Sequence, residues 1–216
     1  MNNAGTLVFV ADWYKNSIFI LDTKTLEITD SISVGHAPSG VAVAPDDKYI
    51  YVANRDDNNL MIIDMADRKV LAAINVGRAP FGVTVSAKGD QVYVANVQSS
   101  DVSIIDTQGR AVVATVKVGS FPYAIAEDSV NHRLFVTNQH DNTVSVIDQT
   151  SNKTIQTIEV GEYPEGIDKH PTEPRIFVAS WFDDKVSVID TNSMTIIREI
   201  ATDSGSRAFG KFFAPH

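Results

Sequence analysis

The sequence contains no cysteine, no long apolar run and no excess of positive charge. Without cysteine the protein has no disulfide, no thiolate metal ligand and no cysteine nucleophile. No apolar run approaches the roughly 18–20 residues that a membrane-spanning helix needs. Asp and Glu number 27 against 18 Lys and Arg, which gives a formal net charge of −9. This charge predicts no binding to nucleic acid and no insertion into a membrane.

What the chain does have is enough apolar material for one core. It has 216 residues, of which 44% are hydrophobic, and no segment resembles a linker. We therefore expect a single domain over residues 1–216. The first five residues lack the basic start and apolar middle of a signal peptide. This favours either an internal protein or a mature form that has already been trimmed.

One short strand sequence returns along the whole chain at a fixed interval. The tetrapeptide Tyr51–Asn54 (YVAN) recurs as Tyr93–Asn96. Weaker copies begin at Phe9, Phe135 and Phe177, so that all five aromatic starts are 42 residues apart. A constant period of this length indicates one supersecondary unit repeated five times. A residue type present in every copy is then expected to serve the scaffold, and one present in a single copy is a candidate for function.

Each copy predicts four short strands separated by turn residues. In the second copy these are 40–44, 49–54, 59–64 and 69–76. The inner strands are apolar at successive positions, which is typical of sheets covered on both faces. Four-stranded sheets that cover one another are the blades of a β-propeller. We predict an all-β, five-bladed β-propeller whose blades are antiparallel sheets. Segment 208–215 matches 38–45 in sequence. We expect it to close the ring by joining the N-terminal strands, which begin at Thr6–Ala11.

The repeated motifs resemble those of a known family. The Tyr-Val-Ala-Asn strand, the Val-Ile-Asp ends of Val144–Asp148 and Val186–Asp190, and the Val-Gly-x-x-Pro turn are similar to the YVTN β-propeller repeat. The resemblance covers nearly the whole chain. It implies a periplasmic or cell-surface location, and many members of that family have no assigned reaction. Seven blades are common in that family. A chain with five blades is therefore a small natural member, a fragment or an engineered piece, and the sequence leaves these three alternatives open.

Three sets of constant positions predict scaffold roles. An aspartate ends every third strand and is expected to accept backbone N–H bonds in the next turn: Asp22, Asp64, Asp106, Asp148 and Asp190. A glycine before each Pro turn is expected to supply a positive φ: Gly35, Gly77, Gly119 and Gly161. Small residues near the start of the innermost strands are expected to permit close approach around a narrow channel: Gly40, Gly82, Ala124, Gly166 and Gly210.

The variable residues fall on two sets of loops that a propeller brings to one rim. Both tryptophans lie there, with an aromatic neighbour each: Trp13, Tyr14, Trp181 and Phe182. Ring closure would make the first and last copies neighbours, and we expect one aromatic patch. Aromatic patches are typical of protein interfaces and ligand platforms. The alternative is that the four side chains pack over the closure seam, and the two roles are compatible.

Charged residues complete the predicted rim. They are His36, Arg55, Arg78, His140, Glu162 and Arg207. Such a set is able to hold a small anionic ligand or a partner's charged side chain, but solvated rim charges are the alternative. The five histidines show no metal-ligand spacing, although a site at His36 and His140 stays open. No Ser-His-Asp or Gly-x-Ser-x-Gly arrangement occurs. We expect no catalytic residue, no metal and no cofactor.

These residues favour a non-catalytic binding or scaffold protein that presents an aromatic and charged rim to a protein partner or small ligand. The alternative is a propeller enzyme, either lactonase- or lyase-like or an accessory to a redox enzyme, with its site at the rim or channel mouth. That alternative comes from the versatility of the fold alone. The oligomeric state and the identity of the ligand or partner do not follow from the sequence.

Overall fold

A computed structural model of the protein describes residues 1–208. These residues form 19 β-strands and contain no helix. Accordingly, no membrane-spanning helix exists in the described part of the chain. The all-β prediction is confirmed.

The strands are grouped in chain order into five sheets, and the pairings within them are antiparallel. The first sheet comprises β1 (Leu7–Asp12), β2 (Ser17–Asp22) and β3 (Ile28–Ser33). The second comprises β4 (Pro38–Val43), β5 (Tyr49–Asn54), β6 (Asn59–Asp64) and β7 (Val70–Asn75). The third comprises β8 (Pro80–Val85), β9 (Gln91–Asn96), β10 (Asp101–Asp106) and β11 (Ala111–Lys117).

The last two sheets repeat the same order. The fourth comprises β12 (Pro122–Asp128), β13 (Arg133–Asn138), β14 (Thr143–Asp148) and β15 (Lys153–Glu159). The fifth comprises β16 (Pro164–Lys169), β17 (Arg175–Ser180), β18 (Lys185–Asp190) and β19 (Thr195–Ala201). Five consecutive sheets of this kind confirm the predicted blades. The predicted closing strand over 208–215 lies outside the described residues, apart from Ala208.

Within this fold the chain divides into two compact units. Unit 1 contains residues 1–99 and 103–114, and unit 2 contains residues 100–102 and those from 115 onward. Each unit has its own buried apolar clusters.

The apolar runs of the inner strands serve both faces of their sheet. In β5 the side chains of Ile50 and Val52 join a cluster with Phe9, Ile18 and Ile20 of the first sheet. Tyr51, which lies between them, points the opposite way and joins a cluster with Val92 and other residues of the third sheet. Successive side chains of a strand point to opposite faces. A sheet covered on both sides therefore needs an apolar residue at every position.

Gly40 confirms the predicted close approach of the innermost strands. A Cβ added at this position of β4 would collide with the backbone carbonyl oxygen of Phe81 in β8, and would also touch Cγ2 of Val83 at 3.0 Å. A backbone atom cannot rotate out of the way as a side chain can. Only glycine fits here.

The positive φ predicted at Gly35, Gly77, Gly119 and Gly161 is wrong. The left-handed conformation occurs two residues later in each copy, at Ala37, Ala79, Phe121 and Tyr163, with φ of 51°, 50°, 54° and 53°. The earlier glycine of the turn is required for a different reason, because a side chain at its position would have no space. A Cβ on Gly119 would lie 2.7 Å from Cγ of Asn138 and 2.7 Å from Oδ2 of Asp141.

The aspartates that end the third strands act as predicted. Asp22 Oδ1 accepts the backbone N–H groups of Lys24 and Thr25 at 2.8 and 2.9 Å, and Asp190 Oδ1 accepts those of Asn192 and Ser193 at 3.1 and 2.8 Å. The backbone bond from Thr25 is the largest cause that lowers the pKa of Asp22 below its ordinary value. These carboxylates hold the turns that follow their strands.

Candidate functional site

The candidate site is built on two sets of loops at one end of the strands, which we call the rim loops. They follow the second strand of each copy, at 13–16, 55–58, 97–100, 139–142 and 181–184, or precede the first strand, at 34–37, 76–79, 118–121, 160–163 and 202–207. Backbone bonds join the two loops of a copy: the N–H of Arg55 donates to the carbonyl of Ala37 at 3.1 Å, and that of Trp181 to Tyr163 at 3.1 Å. The predicted sharing of a rim by these loops is confirmed within each unit.

Side chains add a second set of bonds, always between residues 21 positions apart. Asp57, Asp141 and Asp183 accept the backbone N–H groups of His36, Ser120 and Glu162 at 2.8, 2.7 and 3.0 Å. Asn16, Asn58 and Asn142 accept those of Ala37, Ala79 and Tyr163 at 3.1, 2.8 and 3.1 Å. The loops are thereby held in a fixed conformation before anything binds. A search for Asp or Asn at a constant 21-residue offset would have found these residues from the sequence.

In unit 1 the predicted rim residues make mostly local contacts. Tyr14 is 92% exposed and Trp13 is 37% exposed. The guanidinium carbon of Arg55 lies 5.5 Å from the ring centre of Trp13, a cation–π distance. His36 Nδ1 lies 2.8 Å from Asp57 Oδ1, and Arg78 Nη2 donates to the carbonyl of Gln98 at 3.0 Å. His36 and Arg78 thus bind residues of the rim loops, and Arg55 lies over the ring of Trp13.

Unit 2 carries the larger group of ring side chains. Trp181 and Phe182 stack with ring centres 4.5 Å apart, and Tyr163 meets Phe182 edge-on at 4.8 Å. His140 lies 5.7 Å from Tyr163 and stacks on Phe121 at 3.6 Å. We call these five residues the ring cluster. Sequence reasoning selected Trp181, Phe182 and His140 and missed Phe121 and Tyr163.

The signal for the two missed residues was present in the repeat. Phe121 and Tyr163 occupy the position that holds Ala37 and Ala79 in two other copies. All four have a positive φ, which strains a bulky side chain more than alanine. Strained positions that persist are frequent at functional sites. The change from alanine to an aromatic residue at a strained position was the clue.

An ion pair between a half-exposed arginine and a buried glutamate adjoins the ring cluster. Glu165 is 5% exposed, and its carboxylate accepts from Arg207 Nε at 2.6 Å, from Arg207 Nη2 at 2.9 Å and from Gln139 Nε2 at 2.9 Å. The guanidinium carbon of Arg207 lies 4.0 Å from the ring centre of Trp181. The bonds to Glu165 raise the pKa of Arg207 above its ordinary value. Arg207 was predicted as a site residue, whereas Glu165 and Gln139 were not.

A tyrosine, Tyr123, lies beside the pair of Glu165 and Arg207. Burial raises the pKa of Tyr123, and the neighbouring charge of Glu165 adds to the effect. Tyr123 therefore stays neutral at physiological pH. Its side chain forms a hydrogen bond with Arg207, and this bond contributes to the raised pKa of Arg207. The guanidinium is thus fixed by three different neighbours, Glu165, Tyr123 and Trp181.

Three predicted features remain: Glu162, the joint aromatic patch and the His36–His140 metal site. The last two combine residues of the two units. Glu162 is exposed; its backbone N–H donates to Asp183 at 3.0 Å, and its carbonyl accepts the N–H of Phe182 at 3.3 Å. The patch that joins Trp13 and Tyr14 to Trp181 and Phe182 stays a prediction, as does a His36–His140 metal site. Within residues 1–208 no three His, Asp or Glu side chains are grouped to hold a metal ion.

Comparisons with known proteins support the same architecture. The family model of the YNCE-like beta-propeller matches residues 4–91. Hydrazine synthase of Kuenenia stuttgartiensis is similar in structure, with a TM-score of 0.71, 14% identity and coverage of 95% of this chain and 86% of that one. The fold is that of a β-propeller. A functionally unknown protein from Desulfotomaculum acetoxidans DSM 771 is also similar, with a TM-score of 0.85, 17% identity and coverage of 93% and 67%.

These likenesses establish the fold of this propeller and nothing finer. At 14% and 17% identity the reaction of hydrazine synthase does not carry over. A comparison with curated proteins finds no match. The name of the YVTN repeat stays a resemblance. The function of this propeller has to be argued from its own side chains.

Proposed function

We propose that this propeller is a non-catalytic binding protein whose ring cluster captures a protein partner. The observation that carries the proposal is the continuous contact of Phe121, His140, Tyr163, Phe182 and Trp181 on rim loops of unit 2. Tryptophan, tyrosine and arginine are the residues most enriched at the energetic centres of protein interfaces. Phe182 leaves 53% of its surface exposed, so apolar area is available to a partner.

The rigidity of the rim loops supports this role. Each loop pair is fixed by backbone bonds and by carboxylate or amide bonds 21 residues apart. Arg207 is likewise held by Glu165 before any partner arrives. A surface that is already ordered loses little conformational entropy on binding, so more of the contact energy contributes to affinity.

The charges around the ring cluster indicate the chemistry of the partner. Two exposed carboxylates adjoin it in sequence, at Glu162 and at Asp183, of which Asp183 also lies 3.4 Å from Nζ of Lys185. The donors of Arg207 already face Glu165, so the nearby positive charge is largely compensated. A segment that combines apolar and basic side chains fits this surface, because aromatic faces and carboxylates both attract cations. The periplasmic or cell-surface location that goes with this proposal comes from the YVTN resemblance.

The test is capture of a partner from an extract of the source organism by immobilised protein. Trp181→Ala combined with Phe182→Ala is expected to weaken capture at least about tenfold, since hot-spot truncations cost more than 1.4 kcal/mol. Gln98→Ala is the matched control, because Gln98 is exposed and occupies the position of Phe182 two copies earlier. The control is expected to capture like the wild type, and all variants to keep the wild-type thermal midpoint within a few degrees.

Two outcomes would speak against the proposal. Undiminished capture by the double variant would remove the ring cluster from the interface. A loss of equal size in the Gln98→Ala variant would show that the effect is not specific to the aromatic side chains. Trp13→Ala tests the predicted share of unit 1: a similar loss would extend the surface to Trp13, and wild-type capture would confine it to unit 2.

A further inference from the structure

Unit 1 contains a cavity at the end of its strands opposite the rim loops. Its volume is about 340 Å³, at the small end of the range for small-molecule sites. Three turns surround it: the one after β4, the one after β8 and the one after β10. Tyr51, Lys88 and Arg110 are among its lining residues. Since neither the ring cluster nor Arg207 takes part, this cavity is independent of the proposed partner surface.

The side chain of Tyr51 is only 1% exposed and lines the cavity; its hydroxyl, which is not among the fully buried polar atoms of residues 1–208, makes no hydrogen bond to them. The equivalent Tyr93, one copy later, donates to Oε1 of Gln91 at 3.1 Å. The position of Gln91 is taken in the earlier copy by Tyr49, which also lines the cavity. Burial raises the pKa of Tyr51 to about 12, so the hydroxyl keeps its proton at neutral pH. A hydroxyl that faces a cavity and has no protein partner is able to donate to a ligand acceptor.

Arg110 shows the same contrast between copies. Its equivalent Arg68 donates to the carbonyl of Met65 and lies 3.6 Å from Oδ2 of Asp30. The residue equivalent to Asp30 in the next copy is Ala72, so Arg110 has lost its carboxylate. Arg110 makes no ion pair or hydrogen bond with any described residue. It lies close enough to Tyr51 for its charge to act on that phenol.

Lys88 adds a second cation without a partner in the described chain. Asp46, which also lines the cavity, pairs with Lys48 at 2.9 Å, and Asp90, two positions after Lys88, accepts from the hydroxyl of Ser86 at 2.7 Å. The cavity is therefore lined by the guanidinium and ammonium groups of two exposed residues and by a phenolic donor, together with the carboxylate of Asp46, which is paired with Lys48. The ring of Tyr49 and the side chain of Pro45 supply apolar contact beside them.

We propose that this cavity binds a small organic anion. A carboxylate or phosphate group is held by Arg110 and Lys88, an acceptor oxygen is held by the Tyr51 hydroxyl, and the carbon skeleton lies against Tyr49 and Pro45. Arginine and lysine are the residues that bind such groups, and arginine is able to do so through two parallel N–H bonds. A polyhydroxylated anion of five to seven carbon atoms has the required combination of charge, acceptors and size.

Isothermal titration with four probes tests this site: glucose 6-phosphate, gluconate, inorganic phosphate and neutral glucose. Binding of glucose 6-phosphate or gluconate, with glucose at least tenfold weaker, is the expected result, and the stronger of the two anions identifies the charged group. Inorganic phosphate is expected to bind more weakly than the better organic anion, because it leaves the apolar side of the cavity empty.

Variants with internal controls complete the test. Arg110→Ala and Tyr51→Phe are each expected to weaken the better probe about tenfold, whereas Arg68→Ala and Tyr93→Phe, at the equivalent positions of neighbouring copies, leave it unchanged. Tyr51→Phe is expected to keep or raise the thermal midpoint, since the hydroxyl has no partner to lose. No binding of either organic anion at millimolar concentration, or equal binding by Arg110→Ala and the wild type, would overturn the site.

Discussion

Replacing Gly40 by alanine is expected to lower the free energy of unfolding by about 2–3 kcal/mol, the upper part of the range for forcing an extra carbon into a packed interior. The added methyl group would meet the carbonyl oxygen of Phe81 in the neighbouring innermost strand. Relief requires that β4 and β8 separate, which disturbs the packing of two adjacent sheets. Denaturant unfolding followed by circular dichroism measures the change.

Gly5→Ala is the control for backbone conformation. Gly5 has a φ of 69°, and nothing lies within 4 Å of an added Cβ. Its substitution is expected to cost only about 1 kcal/mol, the strain of a left-handed alanine. If Gly40→Ala costs no more than Gly5→Ala, close approach of the inner strands does not explain the small residues at that position.

Arg207→Ala is expected to destabilise unit 2 by about 2 kcal/mol. Among residues 1–208, the substitution leaves the buried carboxylate of Glu165 with Gln139 as its one remaining side-chain donor. Unpaired buried charges cost 3–5 kcal/mol, and a smaller value is expected here because half of the Arg207 side chain is exposed. The fluorescence of Trp181 is expected to change as well, because the guanidinium leaves its ring face.

A double-mutant cycle isolates this pair. Glu165→Gln removes the charge that Arg207 compensates, so Glu165→Gln with Arg207→Ala is expected to be more stable than Arg207→Ala alone, with a coupling of about 1–2 kcal/mol. Arg175→Ala is the control, since Arg175 and Glu173 pair at 2.8 Å on the surface with 47% and 45% exposure and are expected to contribute below about 1 kcal/mol. Additive losses in the cycle would show that the ion pair is not what orders Arg207.

Much of the fold could be predicted because it depends on local and periodic chemistry. The bounds of β5 (Tyr49–Asn54) and β6 (Asn59–Asp64) agree with the predicted strands, since turn residues mark both ends. The aspartate that ends β6 accepts N–H bonds from residues two and three positions later, a contact set by sequence alone. These features need no knowledge of which sheets meet.

The glycine before each Pro turn shows where such reasoning fails. Glycine is selected either for a positive φ or for lack of space, and a sequence does not distinguish the two. At Gly119 the reason is the side chain of Asn138, which lies 19 positions away. The positive φ belongs to Phe121, a residue type that rarely adopts it.

The candidate site was predictable only in its exposed part. Trp181 and Phe182 stand out by residue type, and Arg207 by charge. Glu165 does not stand out in the sequence, because its role depends on its hydrogen bonds with Arg207, which lies 42 positions away. The cavity in unit 1 was also missed. It is recognised only by comparing Tyr51 and Arg110 with the equivalent residues of other copies, which make hydrogen bonds or ion pairs that these two lack.

Hydroxyl-radical footprinting of the captured complex tests the central claim most directly, that a constant frame of rim loops presents a binding surface of variable side chains in unit 2. The account predicts that a bound partner lowers the oxidation of Trp181, Phe182 and Tyr163 and leaves exposed side chains at the other end of the strands, such as Val130, unchanged. Unaltered oxidation of Trp181 and Phe182 in a complex that protects Val130 would contradict it.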